Sequence, residues 1–202
     1  MSIGDWIALT AALAGVAAAV AAVAAVWYQV GLARGTSSID NTVRMEVQWR
    51  SPEMLMSRAG AADAIIHERG QTDDVLTVMT FFEQLGYLVK AKAIRAEAAW
   101  EAFSDWSLPH SEACKPFVAQ QQKVNITYWE NFVDLNREIV AVEARRRGLT
   151  PETVTPNAAT VHTFLVDESS LTTGGGQSMR RTWRLRKETG SVEEASPARL
   201  KN

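Results

Sequence analysis

His110, Ser111, Glu112 and Cys114 are the nearest thing in the chain to a metal or nucleophile cluster. An H-x-E run suggests a zinc-activated water with a glutamate as acid–base, but a zinc deaminase completes its metal with a separate P-C-x-x-C. Cys114 is the only cysteine, so that reading fails. A Cys–His nucleophile pair needs two side chains within hydrogen-bond reach and a third group that orients the base. Pro109 sets His110 in a loop or a first helical turn rather than one turn below Cys114. His67-Glu68 and Asp73-Asp74 flank Gly70 and offer oxygen ligands to a divalent ion, yet their spacing does not match a calcium loop. They read as the solvated end of one helix and the capped start of the next. His162 stands alone as a polar helix residue. Gly174-Gly175-Gly176 neither follows a strand nor leads into Lys-Ser or Lys-Thr, so it reads as a linker and not as a phosphate loop. These patterns assign no catalytic residue, no cofactor and no metal. A helical enzyme with a site assembled from the distant residues Glu83, His110, Glu130 and Asp134 stays open as the alternative, because one sequence does not report convergence in space.

The elements that would position such groups begin with an apolar stretch. Trp6 to Val30 carries no charge. At ~1.5 Å per residue a helix of that length reaches about 37 Å, enough for a hydrocarbon core of ~30 Å. Trp6 at one end and Trp27 with Tyr28 at the other fit two interfacial aromatic belts. The first five residues hold no Lys or Arg and include Asp5, which favours an uncleaved anchor over a secretory signal. Arg34, Arg44, Arg50 and Arg58 follow the stretch and nothing basic precedes it. The positive-inside rule then predicts a single-pass inner-membrane protein, N-terminus outside and C-terminal domain in the cytoplasm. Ala11, Gly15, Ala18, Ala19 and Ala22 share one side at spacings of three and four, a transmembrane packing face for self-association. An Ala-rich stretch also shows that spacing by chance.

Beyond the hinge Gly31–Ser38 the periodicity is helical as far as about Val166, and in the tail Trp183 and Leu185 alternate with Arg184 and Arg186 as in a short strand. Ile39, Val43 and Val47 predict a helix to about Arg50. Ser51-Pro52-Glu53 starts a second, with Leu55, Ala59, Ala62 and Ile66 as its stripe and Gly70 as its stop. Thr72-Asp73-Asp74 caps a third, in which Val75, Met79, Phe82, Leu85 and Val89 recur and Phe81 and Leu88 widen the apolar arc. Ile94, Trp100, Phe103 and Trp106 line a fourth that ends before Ser107-Leu108-Pro109, and Glu112–Asn125 forms a separate fifth. Asn125-Ile126-Thr127 introduces the longest, whose last turn carries Arg145, Arg146 and Arg147 before Gly148. Thr155-Pro156-Asn157 leads a short helix to about Val166. The predicted class is all-α: one N-terminal transmembrane helix, a small cytoplasmic bundle and a disordered basic tail. The boundaries are 1–35 for anchor and hinge, 36–170 for the helical domain, and 171–202 for linker and tail.

The run Phe81–Trp106 (FFEQLGYLVKAKAIRAEAAWEAFSDW), the proline-containing helix after it and Tyr128–Leu135 (YWENFVDL) carry a resemblance. Together with Arg50–Met54 they resemble a family of bacterial and phage proteins, the domain of unknown function 4760. The likeness covers roughly Thr42 to Ala144 and departs from the family pattern around Ser107–Ala113. It implies one N-terminal transmembrane helix before a small helical domain. It supplies no catalytic residues.

Charge is uneven although the chain as a whole stands at −2. Residues 31–178 hold 14 Lys and Arg against 19 Asp and Glu, whereas residues 179–202 hold 7 against 3. In the basic tail Arg180, Arg181, Trp183, Arg184, Arg186 and Lys187 suit anionic lipid headgroups. Nucleic acid is the less favoured partner for the same residues, and a solubilising terminus or one folded back on the acidic body is the plain alternative. The functional expectation is a membrane-tethered interaction or regulatory module. It binds the bilayer, itself and a protein partner, and any phage- or defence-related role rests on the resemblance.

Overall fold

Ser51, Thr72 and Asn157 each stand just before a helix and accept a hydrogen bond from the backbone N–H three residues on. Each thereby satisfies a donor that the first turn leaves without an intrahelical partner. The computed structural model describes residues 22, 23, 25, 28, 29 and 37–171. Residues 37–49 are helical (α1). They are followed by α2 (Pro52–Ile66), α3 (Asp73–Lys90), α4 (Ala96–Gln122), α5 (Glu130–Arg147), α6 (Pro151–Val154) and α7 (Ala158–Ser169). No strand occurs among the described residues, so the fold is all-α.

The main core is aromatic. Trp49 of α1 packs against Phe81 and Phe82 of α3 at ring distances of 4.7 and 5.0 Å. Phe103 of α4 and Phe132 of α5 close the cluster around them. α3 supplies most of this because its apolar arc is wide, as the sequence predicts: Val75, Val78, Met79, Phe81, Phe82 and Leu85 are all buried. α3 and α5 approach so closely at Gly86 that a Cβ there would lie 2.1 Å from the Asn131 carbonyl oxygen. Glu83, one turn earlier, accepts hydrogen bonds from the backbone N–H groups of Asn131 and Phe132 and from the Asn131 amide. A carboxylate of α3 therefore caps the start of α5.

Four expectations are corrected. First, no helix among the described residues is long and apolar enough to cross a membrane, so the fold described is a helical bundle and not a bundle with a transmembrane helix. The long helix is α4, whose 27 residues carry charges and two prolines. The stretch Trp6–Val30 lies outside the described residues apart from 22, 23, 25, 28 and 29, and so does its packing face Ala11, Gly15, Ala18 and Ala19; Ala22 is helical and exposed. Residues 172–202, with the basic tail, also lie outside them. Second, the two helices expected around Ser107–Pro109 are the single α4. An interior proline costs about 3 kcal/mol, but Phe103 and Leu108 before the break and Cys114 and Val118 after it are all buried in one core, which holds both halves in line. Third, α5 begins at Glu130 and not near Asn125. Trp129 takes φ +61° in the left-handed region and breaks the chain direction there. Fourth, the stripe of α2 is met only in part: Ala59 and Ala62 are buried as expected, but Leu55 and Ile66 at its ends are half-buried, and Met54, Arg58, Ala61 and Ala64 face inward beside them.

Candidate functional site

Arg58 sits in the middle of the apolar face of α2, between Met54 and Ala61–Ala62. Its guanidinium is held by Glu168 near the end of α7 through two hydrogen bonds, Nε to Oε2 at 2.7 Å and Nη2 to Oε1 at 2.5 Å. Both side chains are almost wholly buried. Aromatic rings wall the pair: the Arg58 Cζ lies 4.5 Å from the Trp49 ring centre and 5.6 Å from that of Trp106. A planar, weakly hydrated guanidinium suits such a slot better than an ammonium. Nη1 reaches the Trp49 carbonyl oxygen at 3.5 Å.

His110 lies beside this pair on α4, fully buried among Trp49, Phe82 and Phe164. Its Nε2 is 4.0 Å from Glu168 Oε2, and among the described residues neither ring nitrogen has a hydrogen-bond partner; the same holds for Trp49 Nε1. Burial first, and then the Arg58 charge, push the imidazole down to about 3, so it is neutral at physiological pH. Cys114 does follow His110 on one continuous helix, against the expectation that Pro109 would separate them. It is no nucleophile there: burial pushes its thiol up to about 12, and the reactive form is the thiolate.

The other predicted groups go elsewhere. Glu83 is committed to the cap of α5. Glu130 bonds Lys90 at 2.6 Å and Asp134 stands 3.8 Å from the same ammonium, on an exposed edge. The hydrogen bond that Lys90 donates to Glu130 leads in raising the Lys90 pKa. Glu83, Glu130 and Asp134 all act on the Lys90 ammonium, whereas His110 is enclosed in the core apart from them. His67 bonds Asp63, and Arg69 also pairs with Asp63, while Asp73 and Asp74 open α3. Among the described residues no group of three or more His, Cys, Asp or Glu could hold a metal ion. His162 is exposed on α7. Gly174–Gly176 and the tail residues Arg180, Arg181, Trp183, Arg184, Arg186 and Lys187 lie outside the described residues.

A groove of about 510 Å³ runs between α4 and α5, floored by Leu108, Val118, Phe132 and Val140 and edged by Glu112 and Arg137. α1 buries Met45 and Trp49 but turns Ile39, Val43 and Val47 outward, 54–67% exposed. The four-residue recurrence that predicts the helix therefore marks its outer face and not its core face.

These features define a class: an all-helical bundle with a charge-neutralised polar centre and one apolar outer helix face. A family model described as a domain of unknown function (DUF4760) matches residues 12–139, and the chain belongs to that family. The match takes in α1 to α4 and more than half of α5, and it begins ahead of the Thr42–Ala144 span that carried the resemblance. No curated protein and no solved structure matches the chain.

Arg58 enters the sequence only as a flanking positive charge, and its pairing with Glu168 is not legible there. Arg58 left a signal, since it interrupts the apolar face of α2 at a position flanked by Met54 and Ala62, each four residues away. Glu168 left none, because it lies among polar residues at the end of a short helix.

Proposed function

We propose that this chain is a helical interaction module that self-associates through the outer face of α1. The observation that carries the reading is the outward stripe Ile39, Val43 and Val47 on a helix whose opposite face is anchored by Met45 and Trp49. Three β-branched side chains at four-residue spacing lie within an arc of about 80°, a continuous strip of the kind used to seat a second helix. Three side chains from each copy, about half exposed at present, contribute on the order of 6–9 kcal/mol on burial. That is comparable with the cost of association, so the pairing is reversible and not obligate.

The flanking charges favour a second copy in antiparallel orientation. Asp40 and Arg44 are exposed on the same flank of the stripe. In an antiparallel pair each flank meets itself reversed. With the two-fold axis near Thr42, Asp40 of each copy stands level with Arg44 of the other, as an isologous interface requires. Charge reversal at either position tests this in the full chain by sedimentation velocity. Asp40→Arg or Arg44→Asp alone is expected to weaken self-association, and Asp40→Arg with Arg44→Asp to restore it. A double variant no better than the singles would overturn the proposed pairing.

A further inference from the structure

The helix α7 is held differently from the rest of the bundle. Its buried apolar residues, Phe164 and Leu165, join Ala62 in a small cluster separate from the main core, which is complete from α1 to α5. Its tether is also light. Gly148 takes the left-handed conformation at φ +65°, α6 buries no residue, and Thr155 and Asn157 are extended. Fully extended, residues 149–157 would span about 30 Å, the scale of a small domain. Beside Phe164 and Leu165, the buried contact that holds α7 to the bundle is Glu168 in the slot of Arg58.

That slot is selective. Arg58 is enclosed by Trp49 and Trp106 and its side chain is 5% exposed. A guanidinium left there without a counter-charge is strongly unfavourable, so an occupant that replaces α7 must bring a carboxylate. The wall also holds more polar capacity than Glu168 uses, since His110 faces the carboxylate at 4.0 Å with both ring nitrogens unpartnered among the described residues. We propose that the Arg58 slot is a carboxylate-binding site that accepts Glu168 from the α7 of a second copy as well as from its own chain, which makes α7 an exchangeable clasp. A second copy's α7 matches the slot by construction, with the same Phe164 and Leu165 for Ala62, and exchange of an identical element needs no new surface.

Trans docking is read by disulfide trapping in the full chain. Ala62→Cys is placed on one chain and Leu165→Cys on another, because these positions share one buried cluster; Cys114 is buried in both. The two are mixed at high concentration, incubated, oxidised and run without reductant. A covalent dimer is expected in the mixture at about ten-fold or more over either chain alone, and Glu168→Gln on the Leu165→Cys chain should lower its yield by a similar factor, about one decade per 1.4 kcal/mol of lost pairing. A chain carrying both cysteines shows that the disulfide can form when α7 docks in cis. If that chain closes while the mixture yields no covalent dimer, α7 does not exchange and the proposal fails. Undiminished trapping with Glu168→Gln would show that the slot does not select a carboxylate, and would overturn it equally.

Discussion

Arg58 and Glu168, 110 residues apart in the chain, meet in a two-pronged ion pair in which both side chains are at most 7% exposed. The contact joins α2 to α7 and neutralises a cation that α2 would otherwise carry into an apolar slot. Removing either partner alone leaves a buried charge without compensation. Arg58→Ala or Glu168→Ala is therefore expected to lower the unfolding free energy by about 3–5 kcal/mol, whereas Arg58→Met with Glu168→Leu should be close to neutral. Urea unfolding midpoints measure this, and a double variant as weak as the singles would contradict it.

His110 makes stability depend on pH. Its folded pKa is depressed from 6.5 to about 3, so below pH ~6.5 the unfolded chain takes up a proton that the folded chain refuses. The contribution is fully present above the unfolded value and is lost as pH falls toward the folded one, at about 1.4 kcal/mol per pH unit. His110→Phe keeps a ring among Trp49, Phe82 and Phe164 and removes the titration. Between about pH 6 and pH 4.5 the wild type is expected to lose stability more steeply than His110→Phe, as followed by urea melts.

Cys114 is expected to ignore thiol reagents in the folded protein. With the thiol pushed up to about 12 and buried, it carries almost no thiolate at pH 8 and is not accessible. Labelling by an aromatic disulfide should be complete in denaturant and, in buffer, proceed no faster than unfolding. Rapid native labelling would mean that α4 opens locally around Pro109 and Pro116.

The α3–α5 contact gives a third stability test. Gly86→Ala places a methyl against the Asn131 backbone, where a Cβ would lie at 2.1 Å, and overpacking of that kind costs about 1–3 kcal/mol. Glu83→Ala removes the carboxylate cap of α5 and should cost about 1–2 kcal/mol. Thermal melts of both variants measure the effect.

The parts of the fold that the sequence makes legible are those written locally. The caps Ser51 and Thr72, the stop at Gly148 and the stripe of α3 are set within a turn or two, and each is found where its residue type demands. α4 shows the limit: Pro109 carries a local cost that argues for a break, and burial of Phe103 and Cys114 on either side overrides it. α1 shows another, because periodicity identifies a helix without saying which face looks inward. Met45 and Trp49 take the core because together they cover more surface than Ile39 and Val43. The Arg58–Glu168 centre depends on a contact between distant segments, and only the arginine on the apolar face of α2 hinted at it.

The central claim, that the outer face of α1 is a self-association surface, is tested most directly by sedimentation equilibrium of the full chain. A mild non-ionic detergent keeps it dispersed, since residues 6–30 carry no charge. Val43→Glu puts a carboxylate at the centre of the stripe, on a side chain already 54% exposed, and circular dichroism verifies that the fold is kept. The account predicts a monomer–dimer equilibrium for the wild type, weakened by about ten-fold or more in Val43→Glu, a loss of at least ~1.4 kcal/mol. A wild type that stays monomeric, or a Val43→Glu variant that associates as tightly as the wild type, would contradict it.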